Sequence, residues 1–372
     1  MKITGRGTAD GGAKFRKRFP EAEANGHFRT SAGLIFSSVG IGTYLGKPND
    51  ETDECYRKSV IRAVELGANV IDTAANYRCQ RSERAIGSAL RDLVELHEID
   101  REQLVICTKG GYLAFDGHPP RDIRAYVEER FVNRGIAEFA DFAGGSHCMT
   151  PAYLNDQLDH SLANLGLDCI DVYYVHNPEA QLASISRGQF EMGLATAFRQ
   201  LEASRSLGKI QFYGVATWNG FRVDAAAKAY HSLERMVEFA IQAGGVDHGF
   251  RFIQLPFNFA MTEAISKQNQ KEKGKFVSLI DAAAAYGITI VASASTLQGR
   301  VLSAIPENIR APLGSLRTDA QTAIQFVRST PGITTALIGM SSEDHVVENM
   351  ELCKAPVVSQ TDFQKVLQSI SA

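Results

Sequence analysis
Apolar positions along this chain recur in one unit: an amphipathic helical stretch, a glycine, one to three residues, then a short β-branched run. The unit is written in "VIRAVELGANVID", "LANLGLDCIDVYYVH", "LEASRSLGKIQFYGV" and "DAAAAYGITIVASAS". Its glycines, Gly67, Gly166, Gly208 and Gly287, stand where a helix closes its last turn through a left-handed residue. One helix also marks its start. Thr150 and Pro151 form an N-cap and first-turn pair ahead of an apolar stripe of Leu154, Leu158, Leu162 and Leu165. The runs after the glycines are short and apolar throughout, as in strands covered by helices on one side and by a core on the other.

Eight such runs can be counted: "VGIGTY", "ANVID", "LVICTK", "IDVYYVH", "IQFYGVA", "FIQLPF", "ITIVASA" and "TTALIGM". Most lie about 35 to 45 residues apart, which predicts βα units, and eight of these in one domain predict a (β/α)8 TIM barrel over an open doubly wound sheet. No G-x-G-x-x-G follows an early strand, so a dinucleotide-binding doubly wound fold has no support. Residues 1–27 are polar, glycine-rich and aperiodic; they read as an irregular arm packed on a single barrel domain spanning 28–372. After the third strand, residues 112–149 form an insertion in which Ile123, Tyr126, Val127 and Phe131 make a helical stripe. It leaves from the catalytic end of that strand, so it is expected to be a lid or wall over the substrate, the other role being contact between copies in a homo-oligomer.

Composition narrows the partners. A chain of 372 residues with 44% hydrophobic content can bury a core large enough for one large α/β domain or two ordinary ones. A formal net charge of -3 offers no general attraction for nucleic acid or an anionic membrane surface. No apolar run approaches the roughly 20 residues that cross a bilayer. The six cysteines show no CxxC pairing and the N-terminus no apolar signal core. The expectation is a reduced, cytoplasmic protein without a structural metal, acting on small molecules.

Strand ends then carry the candidate chemistry. Asp72 follows the second strand, Lys109 the third and His176 the fourth, with Tyr77 in the loop after the second. Taken singly, an aspartate closing a strand is usually a turn former, and a lone lysine or histidine there is usually solvated. A barrel makes these positions converge on one rim. A phenol with a pKa near 10 becomes a useful acid only beside a cation, which Lys109 can be if Asp72 holds it. His176 can donate a hydrogen bond to a carbonyl or join the proton relay.

From about residue 28 onward the chain resembles the aldo-keto reductases, in "GIGTY", "DTAANY", "CTKGG", "SLANLGLDCIDVYYVH", "FIQLPFN" and "IGMSSEDHVVEN", in that order. The resemblance places Asp72, Tyr77, Lys109 and His176 on the family's catalytic tetrad. Tyr77 would be the general acid in reduction of an aldehyde or ketone and the base in oxidation of an alcohol or sugar. It implies NADP(H), with NAD(H) as the alternative, lying across the barrel mouth. It also makes "FRTSAGLIFSSV" a hairpin plugging the opposite end. Gln254 would bond the nicotinamide carboxamide; Thr217, Trp218 and Asn219 replace the usual Ser-Asn pair and are candidates for the same contact. Thr43 and Tyr44 would lie beside the ribose, and Gly42, Asp72 and Ser295 would also contact the cofactor. Ser295 follows the seventh strand in a loop without the aromatic that often stacks on the nicotinamide, leaving Trp218 or no ring to do so. Gly339, Ser341, Ser342 and His345 would flank the phosphate, and Glu348 and Asn349 the adenine. Gly339 and His345 stand where lysine and arginine commonly read the 2'-phosphate, so only a modest preference for NADP(H) is expected. The chain departs from the family's Gly-x-Ser-Glu by inserting "RCQR" after Tyr77. Two other classes use the same barrel: a cofactor-sensing regulatory subunit with little turnover, and a Schiff-base lyase with Lys109 as nucleophile.

Overall fold
The computed structural model describes residues 2–302, 305–314 and 316–371. Its centre is a closed barrel of eight parallel strands, one for each apolar run. They are β3 (Val39–Gly42), β4 (Val70–Asp72), β5 (Val105–Gly110), β6 (Ile170–His176), β7 (Ile210–Ala216), β8 (Phe250–Pro256), β11 (Thr289–Ser293) and β12 (Ile333–Gly339). The barrel closes by pairing β12 with β3, and Ile338 lies opposite Ile41. Outside it are two antiparallel hairpins, β1 (Phe28–Ser31) with β2 (Leu34–Ser37), and β9 (Gln268–Glu272) with β10 (Lys275–Ser278).

The glycine-terminated helices form as the pattern predicts. Gly166 caps Pro151–Leu165 with φ 69° and ψ 28°, and Gly287 caps Leu279–Tyr286 with φ 66°. Leu154, Leu158, Leu162 and Leu165 are all buried against the barrel. Thr150 is the N-cap residue, but its hydroxyl makes no capping bond and instead lies 3.3 Å from Cys148 Sγ.

Two layers of core follow from strand alternation. Outward side chains meet the surrounding helices in the main apolar cluster, while Val70, Val105, Cys107, Val172, Tyr174, Phe252 and Val291 fill the barrel itself. Leu34 and Phe36 of the first hairpin join that inner cluster, with Phe36 and Phe252 rings 5.8 Å apart. Ser31 Oγ meets Thr289 Oγ1 at 2.6 Å, and Arg29 donates to the Ile333 carbonyl at 2.7 Å, both at strand starts. The hairpin thus plugs the N-terminal end of the barrel.

The structure corrects the arm. Residues expected to be irregular form helices Ala9–Lys17 and Pro20–Ala24, with Phe15 fully buried. Gly11 and Gly12 weaken helix propensity and hid the element from the sequence pattern. They are needed for contact: a Cβ at Gly11 would lie 2.1 Å from the Glu102 carbonyl oxygen, and one at Gly12 2.8 Å from Ile35 Cβ.

Candidate active site
Strand alternation builds the site. In β4, β5, β6 and β8 the inward positions run Val70 and Asp72; Val105, Cys107 and Lys109; Val172, Tyr174 and His176; Phe252 and Gln254. The lower layers are mainly apolar and the uppermost is polar. Lys109 Nζ donates to Asp72 Oδ1 at 2.5 Å and to the Thr73 carbonyl at 2.8 Å. From across the barrel Gln254 Nε2 donates to Asp72 Oδ2 at 2.7 Å. The Lys109 ammonium lies 4.9 Å from the centre of the Tyr77 ring. Tyr77 itself stands edge-on to His176 at 5.8 Å and to Tyr44 at 5.0 Å.

Burial and charge set the proton affinities. Burial pushes the Tyr77 phenol upward while the Lys109 charge and hydrogen bond pull it back, leaving it above its ordinary value. Burial opposes the Lys109 charge, but Asp72 and Tyr77 outweigh it and raise the ammonium above its ordinary range. Burial likewise raises Asp72 against the pull of Lys109 and Gln254. His176 is held well below the ordinary imidazole value by burial first, then by Lys109 and His147. It is neutral at neutral pH and carries one N–H donor.

The "RCQR" insertion fixes the Tyr77 loop. Arg78, Cys79 and Gln80 are three successive left-handed residues with φ 47°, 57° and 67°. That strain is held by contacts: Arg78 donates to Ser82 Oγ at 3.1 Å, pairs with Asp53 and covers the Tyr56 ring at 4.9 Å. Ser82 Oγ reaches the Thr43 carbonyl at 2.9 Å, and buried Glu83 accepts from Thr108 at 2.7 Å.

Above the tetrad lies a cleft of about 430 Å³. Among the residues expected at a cofactor, Gly42, Thr43, Tyr44, Asp72, Thr217, Trp218, Gln254, Ser295 and Gly339 line it. Asn219, Ser341, Ser342, His345, Glu348 and Asn349 lie outside that lining. Ser342 is the N-cap residue of helix Glu343–Met350 without a side-chain bond, and His345 is exposed. The Glu348 carboxylate is engaged by the Thr318 hydroxyl at 2.7 Å. Thr217 gives its hydroxyl to Glu179 Oε1 at 2.7 Å and accepts from the Gly220 amide at 2.8 Å. Three of the buried polar atoms without a protein partner belong to residues that line the cleft, Asn76 Oδ1, His176 Nδ1 and Ser295 Oγ, and Asn349 Oδ1 lies beyond. The three that face the cleft have hydrogen-bonding capacity left for a polar ligand such as a dinucleotide along the mouth.

Several site residues escaped the sequence. Of the 112–149 insertion only Tyr112 lines the cleft, edge-on to His176 at 5.2 Å. Behind it Val127, Phe131, Ala137, Phe142, Cys148 and Tyr153 form a separate apolar cluster. The expected stripe holds for Tyr126, Val127 and Phe131, whereas Ile123 is 52% exposed. His147 Nε2 meets the His176 carbonyl at 2.7 Å and its Nδ1 meets Gln181 Nε2 at 3.1 Å. Asn177 lines the cleft in a left-handed conformation, φ 44°. The one available signal was position: Tyr112 stands three residues beyond Lys109 at a catalytic strand end.

Residues 38–311 match the profile described as "Aldo/keto reductase family". The chain is 23% identical over 342 residues to a putative voltage-gated potassium channel subunit beta of Schizosaccharomyces pombe, covering 87% of this chain and 86% of that one. It is 27% identical over 188 residues to the NADH-specific methylglyoxal reductase of Escherichia coli, a match spanning 49% of each chain. A Klebsiella pneumoniae aldo/keto reductase solved with NADP and acetate superposes with a TM-score of 0.62 at 17% identity, over 92% of this chain and 94% of that one. This last likeness is one of fold.

Proposed function
This chain belongs to the aldo/keto reductase family, and from that membership we propose that it reduces a small aldehyde or ketone, or oxidises the corresponding alcohol or sugar, with a nicotinamide dinucleotide. The observation that carries the reading is the buried Lys109–Asp72 pair set against the Tyr77 ring, under a cleft that His176 also lines. A bound NADPH or NADH would supply a hydride to the carbonyl carbon. Tyr77 gives the carbonyl oxygen its proton, and the resulting phenolate is stabilised by the Lys109 charge. Asp72, fixed by Gln254, keeps that ammonium charged and aimed. Neutral His176 holds the carbonyl oxygen through its N–H, orienting it toward Tyr77. Gly42, Thr43, Ser295 and Gly339, which line the cleft, would hold the nucleotide, with Ser341, Ser342, His345, Glu348 and Asn349 toward its adenine side.

NADP(H) is the favoured cofactor, as bound in the Klebsiella protein, and NAD(H) fits the relative named NADH-specific. The 2'-phosphate would find serines and His345 in place of a lysine and an arginine, so the preference is modest. The test is oxidation of NADPH and NADH against a panel of aldehydes, ketones and sugars, with Tyr77→Phe as control. The potassium-channel relative favours a second reading, a cofactor-sensing subunit. Tight NADPH binding without turnover of any carbonyl would select that reading over ours.

A further inference from the structure
Glu179 lies three residues past His176, on the short helical turn Pro178–Ala183. The residue is 9% exposed, and one carboxylate oxygen gathers three donors from a single loop: the Thr217 hydroxyl at 2.7 Å, the Trp218 amide at 2.7 Å and the Asn219 amide at 2.9 Å. The other oxygen faces His231 Nε2 at 3.5 Å. The circuit closes through Gly220, whose amide bonds Thr217 Oγ1 and where a Cβ would lie 2.1 Å from the His231 ring. His231 is stacked on Phe190 at 5.3 Å and lies edge-on to Phe221 at 5.8 Å. A buried carboxylate is costly unless such donors satisfy it, and with them its bonds are stronger than those of a neutral acceptor.

The same loop presents Trp218, the chain's single tryptophan, as a wall of the cleft. The residue is 42% exposed and, among the described residues, its indole makes no ring contact and no hydrogen bond. No polar or ring contact of its own holds the indole, and the backbone that carries it hangs from Glu179.

We propose that Glu179 is a positioning residue that fixes the 217–219 loop and thereby aims Trp218 at the substrate side of the cleft. The consequence for catalysis rests on the carbonyl-reductase reading, because there Trp218 matters as a wall beside the carbonyl. The aim of the indole does not rest on it.

Single-tryptophan fluorescence tests this in the full-length protein, without cofactor or substrate. Glu179→Gln keeps the shape and removes the charge, and Glu179→Ala removes all three bonds. In variants whose far-ultraviolet circular dichroism matches wild type, Trp218 anisotropy should fall. Its acrylamide quenching constant should rise about twofold for Gln and further for Ala, as the charge-assisted bonds are lost. The carbonyl KM should rise about tenfold with kcat changed less than about threefold, since what is lost is binding to a wall. Wild-type anisotropy and quenching in folded Glu179→Gln overturn the proposal whatever the activity. Released fluorescence in a protein that turns over no carbonyl supports the positioning and faults the activity instead. Should both Glu179 variants fail to fold, Thr217→Val deletes the hydroxyl's bond to Glu179 and its bond from the Gly220 amide, and no charge. An unchanged Trp218 in that variant overturns the proposal, and a partial release supports it.

Discussion
Proton chemistry at the residue scale turns on two groups displaced in opposite directions. The Tyr77 phenol sits above its ordinary value and the His176 imidazole well below its own. Neither changes charge near neutrality, so carbonyl reduction should have a kcat flat between about pH 6 and 8. A bell centred on about pH 6.5 would show instead that an imidazole titrates in the site. Tyr77→Phe should leave nucleotide affinity within about threefold and lower turnover by roughly 10²- to 10⁴-fold, the usual effect of losing a placed acid. Stopped-flow turnover and fluorescence titration of NADPH separate the two quantities. Lys109→Met should also slow reduction and should shift any alkaline limb to higher pH. The charge that draws the Tyr77 proton affinity down would be gone, so the phenol would stay protonated further into the alkaline range.

Among the elements, the insertion reaches the cleft through Tyr112 and packs an apolar cluster of its own behind that residue. Tyr112 faces the cleft while Phe131, 2% exposed, packs on Phe142 and Tyr153 behind it. Tyr112→Ala should therefore change the ranking of carbonyl substrates with little loss of stability. Phe131→Ala should cost about 3 kcal/mol by urea unfolding, as a large ring leaves a packed cluster. The reverse assignment of the two effects would refute this division. Helix ends obey local rules that tertiary packing leaves alone: at Gly166, with φ 69° and no atom within 4 Å of where a Cβ would stand, alanine meets backbone strain and no clash. Gly166→Ala should cost about 1 kcal/mol, read from the urea midpoint at constant slope.

For the whole molecule, acid stability is tied to imidazoles buried in neutral form. Burial first and then Arg328 lower His27 to about 3, and burial lowers His147 to about 4. Both values lie below 6.5, so the unfolded chain binds more protons than the native one as pH falls below 6.5. Each contribution is fully present above that pH and is lost as pH falls through the folded value. Glu179, held at about 2 despite burial, acts in the same direction below about pH 4.5. Buried Asp72 and Glu83, both raised, act oppositely, so one variant compared with wild type isolates the effect. His27→Gln lies far from the cleft and should flatten the fall of unfolding free energy between about pH 6 and 4 by up to about 1.4 kcal/mol per pH unit. Parallel curves for the two proteins would remove His27 from this account.

Sequence alone determined whatever depends on neighbours along the chain. Left-handed glycines, leucines spaced on one helix face and apolar runs ending in Asp72, Lys109 and His176 are local signals, and eight such runs define a barrel whose rim collects those ends. Helix Ala9–Lys17 and the hairpin of β9 and β10 were not legible, because the first is diluted by glycine and the second is mostly polar. Their order comes from surfaces that fold against them. The partners of the tetrad were equally hidden. Gln254 reaches Asp72 across 182 residues of chain, His147 reaches the His176 carbonyl across 29, and Glu179 gathers a loop about 40 residues away. A buried polar group must find its complement wherever the fold places one, so tertiary structure alone decided which side chains hold the chemistry in position.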